Sequence, residues 1–409
     1  MQNVLAILLA GGAGERLFPL TLYTAKPAVP FGGTYRIIDF TLSNCLNSDI
    51  RKVLVLTQYK SLELAQHLRD GWDIFSSEIG EYIEAIPPMK RIHEDWYLGT
   101  ADAVYQNIES IAAAAPDLVI LLSGDQIYKM DYHEMVDEHV RRGADITLAT
   151  IQVPPDQAPQ FGIATIDSEH RIRGFEEKPK HGNPVRSVFN PEMVSASMGI
   201  YVFNRKVLTQ ALIEDAVIEQ TSHDFGKDVI PRLLDSAKVI AYDFRDLNDK
   251  TARYWRDVGT LDAYYEANMD LVSVLPVFNL YDRRWPLRTR VVQAPPAKFV
   301  FASEGRRMGI ALDSIVSNGC IISGGRVTRS VLSPGVRVNS YCEIGNSILM
   351  DGVEIGRYSR LQRTIVPTGV ILPENTVIGF DLAGDRAAGY TVTGSGIVVV
   401  PPPPPILAV

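Results

Sequence analysis

The stretch LAGGAGERLFPLTLYTAKPAVP, residues 9–30, runs from the end of an apolar segment through a glycine-rich turn into a loop with a single lysine, Lys26. The apolar residues Val4–Ala10 predict a buried strand before the turn. The glycines in GGAG carry no Cβ, so the backbone can turn tightly and point several amide hydrogens at one anion, while Arg16 and Lys26 add positive charge. The stretch therefore predicts a nucleotide phosphate site, with a plain strand-to-helix connection as the structural alternative.

Two other phosphate-binding loops fit this turn poorly. The dinucleotide fingerprint G-x-G-x-x-G could begin at Gly12, but its third glycine would fall on Leu17. The Walker pattern needs Gly-Lys-Ser/Thr, which the turn lacks. A nicotinamide-dependent oxidoreductase is therefore a weakly supported alternative.

Size and charge narrow the class of protein. A chain of 409 residues with 46% hydrophobic residues is expected to form two or three globular domains. Its net charge of -8 argues against a nucleic-acid partner or an anionic membrane surface. The apolar run near the N-terminus is too short to span a bilayer, so a cytoplasmic location is expected. Three scattered cysteines, Cys45, Cys320 and Cys342, are interpreted as small buried residues rather than as a metal or disulfide framework.

Strand-like and helical patterns alternate up to about residue 270. Strands are predicted at 4–10, 53–58, 118–124 and 145–151, and helices at 61–70 and 132–143. This alternation predicts an α/β domain with a mostly parallel, Rossmann-like sheet covered on both faces. Ligands of such sheets bind at the carboxyl ends of the strands, where Gly11, Gln58 and Asp125 each fall. We therefore expect these three strand ends to meet at one site.

The residue pattern changes after a linker rich in proline and aromatic residues, because helical periodicity disappears beyond it. From about residue 314 to 380 aliphatic residues recur at intervals near six, most clearly in the pairs Ile344-Gly345, Ile355-Gly356 and Ile378-Gly379. Such spacing is typical of a three-sided parallel β-helix, with a small β-sandwich as the alternative. The predicted boundaries are an α/β nucleotide-binding domain at 1–275, a linker at 276–310 and a left-handed β-helix domain at 311–409. The final residues IVVVPPPPPILAV, 397–409, contain five consecutive prolines and are interpreted as an extended tail without a catalytic role.

Two aspartates are candidate metal ligands. Asp125 lies just after a buried strand in SGDQ, and Asp257 lies in YWRDVGT. Two acids brought together would bind Mg²⁺, which prefers carboxylate, water and phosphate oxygens. Either aspartate could instead be a simple turn former.

Three further segments carry polar residues of interest. In FEEKP, Glu177 and Lys178 are adjacent, so an extended strand would point them to opposite faces. Ser197 opens the apparent core strand SMGIYVF. In SHDFGKD, Ser222 or Asp224 is expected to cap a helix, and His223 has no second ligand at metal spacing and is assigned no catalytic task.

A set of motifs in a fixed order resembles one family. The motifs are LAGGAGERLFPLT, AKPAVPFGGTYRIIDFTLSN, LTQYKS, WYLGTADAV, SGDQIYKMDY, FGIATID, EEKP, SMGIYVF, SHDFGKD and YWRDVGTLDAYY. Together they resemble the glucose-1-phosphate adenylyltransferases, or ADP-glucose pyrophosphorylases, within the sugar-nucleotide pyrophosphorylases. The resemblance covers nearly all of residues 3–380 and implies synthesis of ADP-glucose and pyrophosphate from ATP and α-D-glucose 1-phosphate, for glycogen or starch.

The resemblance also implies roles for individual residues. It assigns Gly11, Gly12, Gly14, Arg16 and Lys26 to the triphosphate, Gln58 to adenine, Asp125 and Asp257 to Mg²⁺, and Tyr97, Gly162, Glu177, Lys178 and Ser197 to the sugar phosphate. It further implies a homotetramer regulated by anionic metabolites. Arg16, Lys26, Asp125 and Asp257 are the implied catalytic set.

Regulation and subtype are less well defined by the sequence. Many relatives have additional basic residues before the AKP motif, where this chain has Tyr23 and Thr24, which weakens the expectation of activation by a sugar bisphosphate. The repeat region offers a candidate anion-binding surface in Arg326, Arg329, Arg337, Arg357, Arg360 and Arg363, with ordinary solvated arginines as the alternative for most of them. Two alternatives stay open, namely a nucleotidyltransferase for another nucleoside triphosphate or sugar 1-phosphate, and a regulatory subunit that has lost catalysis.

Overall fold

The computed structural model describes residues 3–88, 96–180, 184–244, 254–303 and 307–404. In its first part the strands are β1 (Val4–Ala10), β2 (Pro30–Phe31), β3 (Tyr35–Arg36), β4 (Lys52–Thr57), β5 (Tyr82–Ile86), β6 (Leu118–Ser123), β7 (Gln126–Tyr128), β8 (Ile146–Val153), β9 (Gly162–Ile166), β10 (Ile172–Glu177), β11 (Val194–Asn204), β12 (Val239–Asp243) and β13 (Trp255–Asp257). The helices of this part are α1 (Ile37–Asn47), α2 (Leu62–Trp72), α3 (Thr100–Tyr105), α4 (Ile108–Ala114), α5 (Tyr132–Arg142), α6 (Arg205–Ala216), α7 (Ile230–Leu233) and α8 (Leu261–Asp270).

A single large sheet organises this domain. Strands β6, β1, β4 and β5 lie side by side and are parallel, as are β8 and β12. The long strand β11 pairs antiparallel with β6 and β8, and β9 and β10 continue the sheet antiparallel beyond it. The predicted α/β fold is confirmed, and its parallel part carries the glycine turn at the end of β1.

Both faces of the sheet are covered by helices. Alternate residues of β1 enter different cores, because successive side chains of a strand point to opposite faces. Ala6 and Leu8 belong to one buried cluster, and Leu5 and Ile7 belong to the other. Each fully buried Leu or Ile stabilises the fold by about 1.5–3 kcal/mol relative to an exposed one. This central strand therefore holds the turn that follows it in a fixed position.

Both predicted helices are present, and α5 has clear end signals. Asp131 caps the start of α5 and its carboxylate accepts a hydrogen bond from the backbone N–H of His133, while Gly143, with φ 55°, follows the last residue of the helix. A side-chain acceptor at the start and a left-handed glycine at the end satisfy backbone groups that the helix itself leaves unpaired. Helix α2 covers the other predicted helical stretch.

The second part of the chain is a stack of short parallel strands. These are β14 (Lys298–Val300), β15 (Ile310–Leu312), β16 (Ile315–Val316), β17 (Ile321–Ser323), β18 (Arg326–Thr328), β19 (Val331–Leu332), β20 (Arg337–Val338), β21 (Glu343–Gly345), β22 (Ile348–Leu349), β23 (Glu354–Ile355), β24 (Arg360–Gln362), β25 (Thr364–Val366), β26 (Ile371–Leu372), β27 (Val377–Ile378), β28 (Thr391–Val392) and β29 (Val398–Val399), with the short helix α9 (Leu382–Ala387) near the end. They form three sheets, one for each face of the stack, in which every pair is parallel except β28 with β29, which is antiparallel. Strand β14 lies within the segment that the sequence analysis gave to the linker.

The repeat spacing explains the stack. Val327, Ile344 and Leu361 are paired in register along one face, and the buried residues Ile344, Ile355 and Ile378 point into a common interior. One inward aliphatic residue per face and per coil fills this interior, as expected for a solenoid. The architecture is that of the predicted left-handed parallel β-helix.

The two domains share a core. Tyr264 of α8 packs in one buried cluster with Ile365 and Val399 of the β-helix. Nη1 of Arg36 lies 3.0 Å from Oδ2 of Asp351 across the same boundary. The β-helix is therefore packed against the segment that leads into α1.

One sequence expectation about the C-terminus is wrong. The segment that opens the proposed tail, Ile397 to Val400, is buried, and Val398 and Val399 form β29, which pairs with β25. Its aliphatic side chains complete the interior of the stack, so only the prolines that follow leave it. The predicted end of the tail at 405–409 lies outside the described residues. The three cysteines are free and buried, as predicted, and among the described residues no helix is both long and apolar enough to cross a membrane.

Candidate active site

A cleft of about 890 Å³ opens at the carboxyl ends of β1, β4 and β6. Every residue that the sequence analysis assigned to a site lines it. These are Gly11, Gly12, Gly14, Arg16, Lys26, Gln58, Tyr97, Asp125, Gly162, Glu177, Lys178, Ser197 and Asp257. The structure thus brings together residues from both ends of the first domain.

The glycine turn forms one end of the cleft. Gly14 has φ 66°, a left-handed conformation that favours glycine, and the hydroxyl of Thr21 donates to its carbonyl at 2.8 Å. A Cβ built at Gly11 would lie 3.1 Å from the Cβ of Gln58. The turn therefore packs directly against the end of β4, and Arg16 follows it in a short 3₁₀ turn.

Lys26 lies between the two aspartates on the floor of the cleft. Its Nζ is 2.7 Å from Oδ2 of Asp125 and 3.3 Å from Oδ1 of Asp257. The hydroxyl of Ser123 donates to the other oxygen of Asp125. The lysine side chain is only 8% exposed, so this arrangement is largely shielded from water.

Two pairs of strands explain why the acids meet. Asp125 falls between β6 and β7, and β13 pairs antiparallel with β7 so that Asp257 is opposite Gln126. Asp257 therefore lies beside the residue that follows Asp125. No local pattern in the sequence contains this pairing, which joins segments more than a hundred residues apart.

The charges at this centre stabilise one another. Burial alone would raise the pKa of Asp125, but the Lys26 ammonium, the hydrogen bond from Ser123 and Arg16 hold it below its ordinary value. Burial alone would lower the pKa of Lys26, but Asp125 and Asp257 raise it above its ordinary value. Near neutral pH the centre therefore contains a charged ammonium and an ionised Asp125.

The side chains of Arg16 and Asp257 both lie close against Gly259. A Cβ built at Gly259 would lie 2.9 Å from Nη2 of Arg16 and 3.1 and 3.2 Å from the two carboxylate oxygens of Asp257. The sequence analysis assigned no role to this glycine, which lies in the same motif as Asp257. A larger residue at this position would push the arginine or the carboxylate out of place.

A second carboxylate lies in a cradle of glycines at the other end of the cleft. A Cβ at Gly162 would be 2.6 Å from Oε2 of Glu177, and a Cβ at Gly226 would be 2.8 Å from the same atom. Ser197 lies near this end and accepts a hydrogen bond from the N–H of Gly199 at 3.1 Å. This end presents one partly buried carboxylate and a hydroxyl to a ligand.

The expectation that Glu177 and Lys178 point to opposite faces is wrong. Strand β10 ends at Glu177, and Lys178 has φ 50°, so the chain leaves the extended conformation at that point. Both side chains line the cleft, and Nζ of Lys178 lies 3.3 Å from Oε1 of Glu177. The alternation rule fails here because it holds only while the strand continues.

Trp255 and Asp224 are among the lining residues that the sequence analysis did not assign to the site. The indole of Trp255 donates to Oε1 of Gln126 at 3.0 Å and faces the cleft with Asp257, two positions further along β13. Asp224 caps the helical turn at Phe225–Val229, as predicted, and also lines the cleft. The spacing of Trp255 and Asp257 on one strand face could have indicated the first, whereas nothing in the sequence distinguished the second from an ordinary cap.

The donor set at the centre suits a hard divalent cation. Asp125 and Asp257 already face a common cation, the Lys26 ammonium, so their oxygens point to one position. Within the described ranges no group of three or more His, Cys, Asp or Glu side chains could hold a metal. Magnesium commonly binds through one or two carboxylates and takes its other ligands from water and substrate phosphates. Two carboxylates without a third ligand therefore fit such an ion.

Comparisons with known proteins agree with this geometry. A family model described as nucleotidyl transferase matches residues 5–274, and one described as GlmU-like, C-terminal hexapeptide matches residues 295–400. Three curated relatives carry the name glucose-1-phosphate adenylyltransferase. The protein of Koribacter versatilis is 57% identical over 400 residues, covering 98% of this chain and 95% of the relative. That of Rhodopirellula baltica is 54% identical, with 98% and 90% covered, and that of Hydrogenovibrio crunogenus is 49% identical, with 97% and 93% covered.

Proposed function

The chain belongs to the nucleotidyl transferase family and, within it, to the glucose-1-phosphate adenylyltransferases, and from this premise we propose that it joins ATP and α-D-glucose 1-phosphate to give ADP-glucose and pyrophosphate. The observation that carries this proposal is the contact of Lys26 with both Asp125 and Asp257 beside the glycine turn. By the family resemblance, the product supplies activated glucose for glycogen, an α-1,4-glucan. Both substrates are metabolites of the cytoplasm, which supports a cytoplasmic location for the protein.

The glycine turn and its basic residues would bind the triphosphate. Gly11, Gly12 and Gly14 offer backbone amides, Arg16 and Lys26 offer positive charge, and Gln58 would meet the adenine. The charge is needed because the reaction brings two anions together. Arg16 and Lys26 would weaken the repulsion between the two anionic substrates. They would also compensate the negative charge that gathers on the α-phosphate and the departing pyrophosphate.

The opposite end would bind the sugar phosphate. Glu177 would accept hydrogen bonds from sugar hydroxyls, and the hydroxyl of Ser197 would donate one to them. Tyr97 and Gly162 would line the sugar pocket. Lys178 would hold the attacking phosphate, whose second pKa near 6 leaves it largely dianionic at neutral pH. An oxygen that is already ionised needs no general base. The residues therefore act mainly by positioning the two substrates in line and by compensating charge.

The family generally uses a divalent metal, and we propose Mg²⁺, held by Asp125 and Asp257. When bound, the ion supplies charge neutralisation and orientation to the phosphate oxygens. The carboxylate of Asp125 stays available for it at neutral pH because its pKa is low. The Lys26 ammonium, which contacts both acids in this structure, would then be free to turn to the triphosphate.

Regulation and assembly are proposals that rest on the resemblance. Five of the six repeat-domain arginines are exposed, and Arg363 is partly buried over the Tyr265 ring, which supports an anion-binding role for this surface. Exposed apolar side chains on the β-helix, such as Phe299, Ile371 and Phe380, support association into the proposed homotetramer. Light scattering after size exclusion would give the number of subunits.

A comparison of nucleotides tests the proposed reaction. Pyrophosphate release should be measured with glucose 1-phosphate and each of ATP, UTP, GTP and dTTP, with and without fructose 1,6-bisphosphate, fructose 6-phosphate, pyruvate, AMP and phosphate. We expect ATP to give the highest kcat/KM. A preference for another nucleotide would assign the chain to a different transferase, and no activity of the lone chain under any condition would favour a regulatory subunit.

A further inference from the structure

Two segments from distant parts of the chain form neighbouring walls of the sugar-phosphate end. The first wall is residues 97–100, which precede and begin α3, and the second is residues 222–226, which contain the cap of the turn at Phe225–Val229. The first wall carries Tyr97 and the second carries Asp224, and both side chains line the cleft. The packing of these two walls against each other therefore shapes this end of the cleft.

The two walls are in close backbone contact. A Cβ built at Gly99 would lie 2.2 Å from the carbonyl oxygen of Ser222 and 2.3 Å from that of His223, so no side chain fits between them. The N–H of Ala101 donates to the carbonyl of His223 at 2.8 Å. The carbonyl of His223 therefore joins the second wall to the first turn of α3.

The hydroxyl of Thr100 adds a second link. It donates to Oδ2 of Asp224 at 3.0 Å and accepts from the N–H of Phe225 at 3.0 Å. This pair of bonds fixes the side chain of Asp224, which lines the cleft, relative to the first wall. These hydrogen bonds form only if the backbone at His223, the residue before Asp224, keeps its conformation.

That direction depends on an uncommon backbone conformation at His223. Its φ is 49°, in the left-handed region that is unfavourable for residues with a Cβ. The imidazole Nδ1 lies 2.8 Å from Oδ2 of Asp215, which is almost fully buried. Arg232 bonds to the other oxygen of Asp215. The anchored side chain therefore holds the backbone in a conformation that it would otherwise leave.

We propose that His223 is a positioning residue for sugar-phosphate binding, which holds the second wall against the first through its backbone carbonyl and its bond to Asp215. Its neighbours Ser222 and Asp224 line the cleft, whereas its own side chain points toward Asp215. The inference rests on the proposed function, since it names glucose 1-phosphate as the ligand of this end. The triphosphate end, formed by the glycine turn, is anchored separately by β1.

Three substitutions separate the two contributions of His223. His223→Val opposes the left-handed conformation and removes the bond to Asp215, His223→Gly removes only the side chain, and His223→Asn tolerates the left-handed region and keeps a polar group. We expect the KM for glucose 1-phosphate to rise by a factor of about ten to a hundred in the Val variant, less in the Gly variant and least in the Asn variant. The KM for ATP should change by no more than about threefold, because the glycine turn is untouched.

Two further variants keep the test decisive if the Val variant does not fold. Gly99→Ala forces the walls apart from the other side and should raise the same KM selectively. Asp215→Asn should have an effect that is not additive with that of His223→Gly, because both remove one contact. His133→Ala, an exposed residue of α5 far from the cleft, is the matched control and should leave both KM values unchanged.

The outcomes distinguish this inference from the proposed function. A wild-type enzyme active on glucose 1-phosphate, with variants that lose thermal stability but keep the KM for glucose 1-phosphate, would overturn the positioning role alone. Equal increases in both KM values would also overturn it. An inactive wild-type chain would instead contradict the proposed function.

Discussion

The ammonium nitrogen of Lys26 lies 2.7 Å from a carboxylate oxygen of Asp125, although the two residues are 99 positions apart in the chain. The contact joins the loop after the glycine turn to the end of β6, and Asp257 completes it from a third segment. A buried cation between two acids is costly to separate from them, because each unpaired charge would lose its compensation. The centre is therefore preformed before any substrate binds.

Removal of the Asp125 charge should stop catalysis without unfolding the protein. Asp125→Asn keeps the size and hydrogen-bonding capacity of the side chain but removes a metal ligand and the partner of Lys26. We expect turnover to fall by a factor of about a thousand, with an unchanged circular dichroism spectrum. Asp137→Asn on the exposed face of α5 is the control. A folded Asp125→Asn variant with wild-type turnover would remove Asp125 from the mechanism.

Lys26 should compete with the metal for the two acids. In Lys26→Gln no ammonium occupies the position that both carboxylates face, so Mn²⁺ should bind more tightly in the absence of ATP than it does to the wild type. Electron paramagnetic resonance of free Mn²⁺ measures this affinity without any turnover. The double variant Lys26→Gln with Asp125→Asn should lose this increase in Mn²⁺ affinity, because it lacks one of the two carboxylates. Unchanged Mn²⁺ affinity in Lys26→Gln would show that the acids do not form the metal site.

The pKa of Asp125 makes a prediction about acid stability. Although burial opposes it, Lys26 and Ser123 hold the pKa of Asp125 below its ordinary value, so the folded state binds fewer protons than the unfolded state at acid pH. The contribution of Asp125 to the free energy of unfolding is therefore present above the ordinary carboxyl pKa of about 4 and is lost as pH falls through the lower folded value. Urea unfolding from pH 6 to pH 3 should show a steeper loss of stability for the wild type than for Asp125→Asn. Parallel curves for the two proteins would contradict the predicted linkage.

Gly259 should be needed for catalysis rather than for folding. The Cβ of Gly259→Ala would contact the far ends of the Arg16 and Asp257 side chains, which can move without disturbing the backbone. We expect kcat to fall by a factor of about ten to a hundred while the melting temperature changes little. Other glycines make poor controls, because Gly143 has a positive φ and Gly12 is part of the glycine turn. His133→Ala is therefore the control here as well. A variant with normal kcat would show that the positions of Arg16 and Asp257 beside Gly259 are not required.

Local patterns in the sequence accounted for the elements and for much of the site. Strand β1 was evident from its apolar residues, and the inward positions Ile344, Ile355 and Ile378 followed from the repeat spacing. The resemblance then named thirteen residues, all of which line one cleft. These features depend on patterns within short segments or on a motif that the chain carries intact.

Other features depend on pairings that no short segment contains. The meeting of Asp125 and Asp257 requires β13 to pair with β7, and the cradle of Glu177 requires glycines from two further segments. The left-handed φ of Lys178 ended a strand that composition alone would have continued. Val398 looked like part of a tail because its partner strand β25 is more than thirty residues earlier. Tertiary pairing decided each of these cases.

The most direct measurement follows the phosphorus atoms of ATP in a reaction of the purified chain with glucose 1-phosphate and Mg²⁺. With ATP labelled at the α-phosphorus, the account predicts that the label appears in ADP-glucose, and with ATP labelled at the γ-phosphorus, that it appears in pyrophosphate. Transfer of the γ-label to a sugar phosphate, or α-label that stays in ATP under every effector condition, would contradict the claim that this cleft transfers an adenylyl group to glucose 1-phosphate.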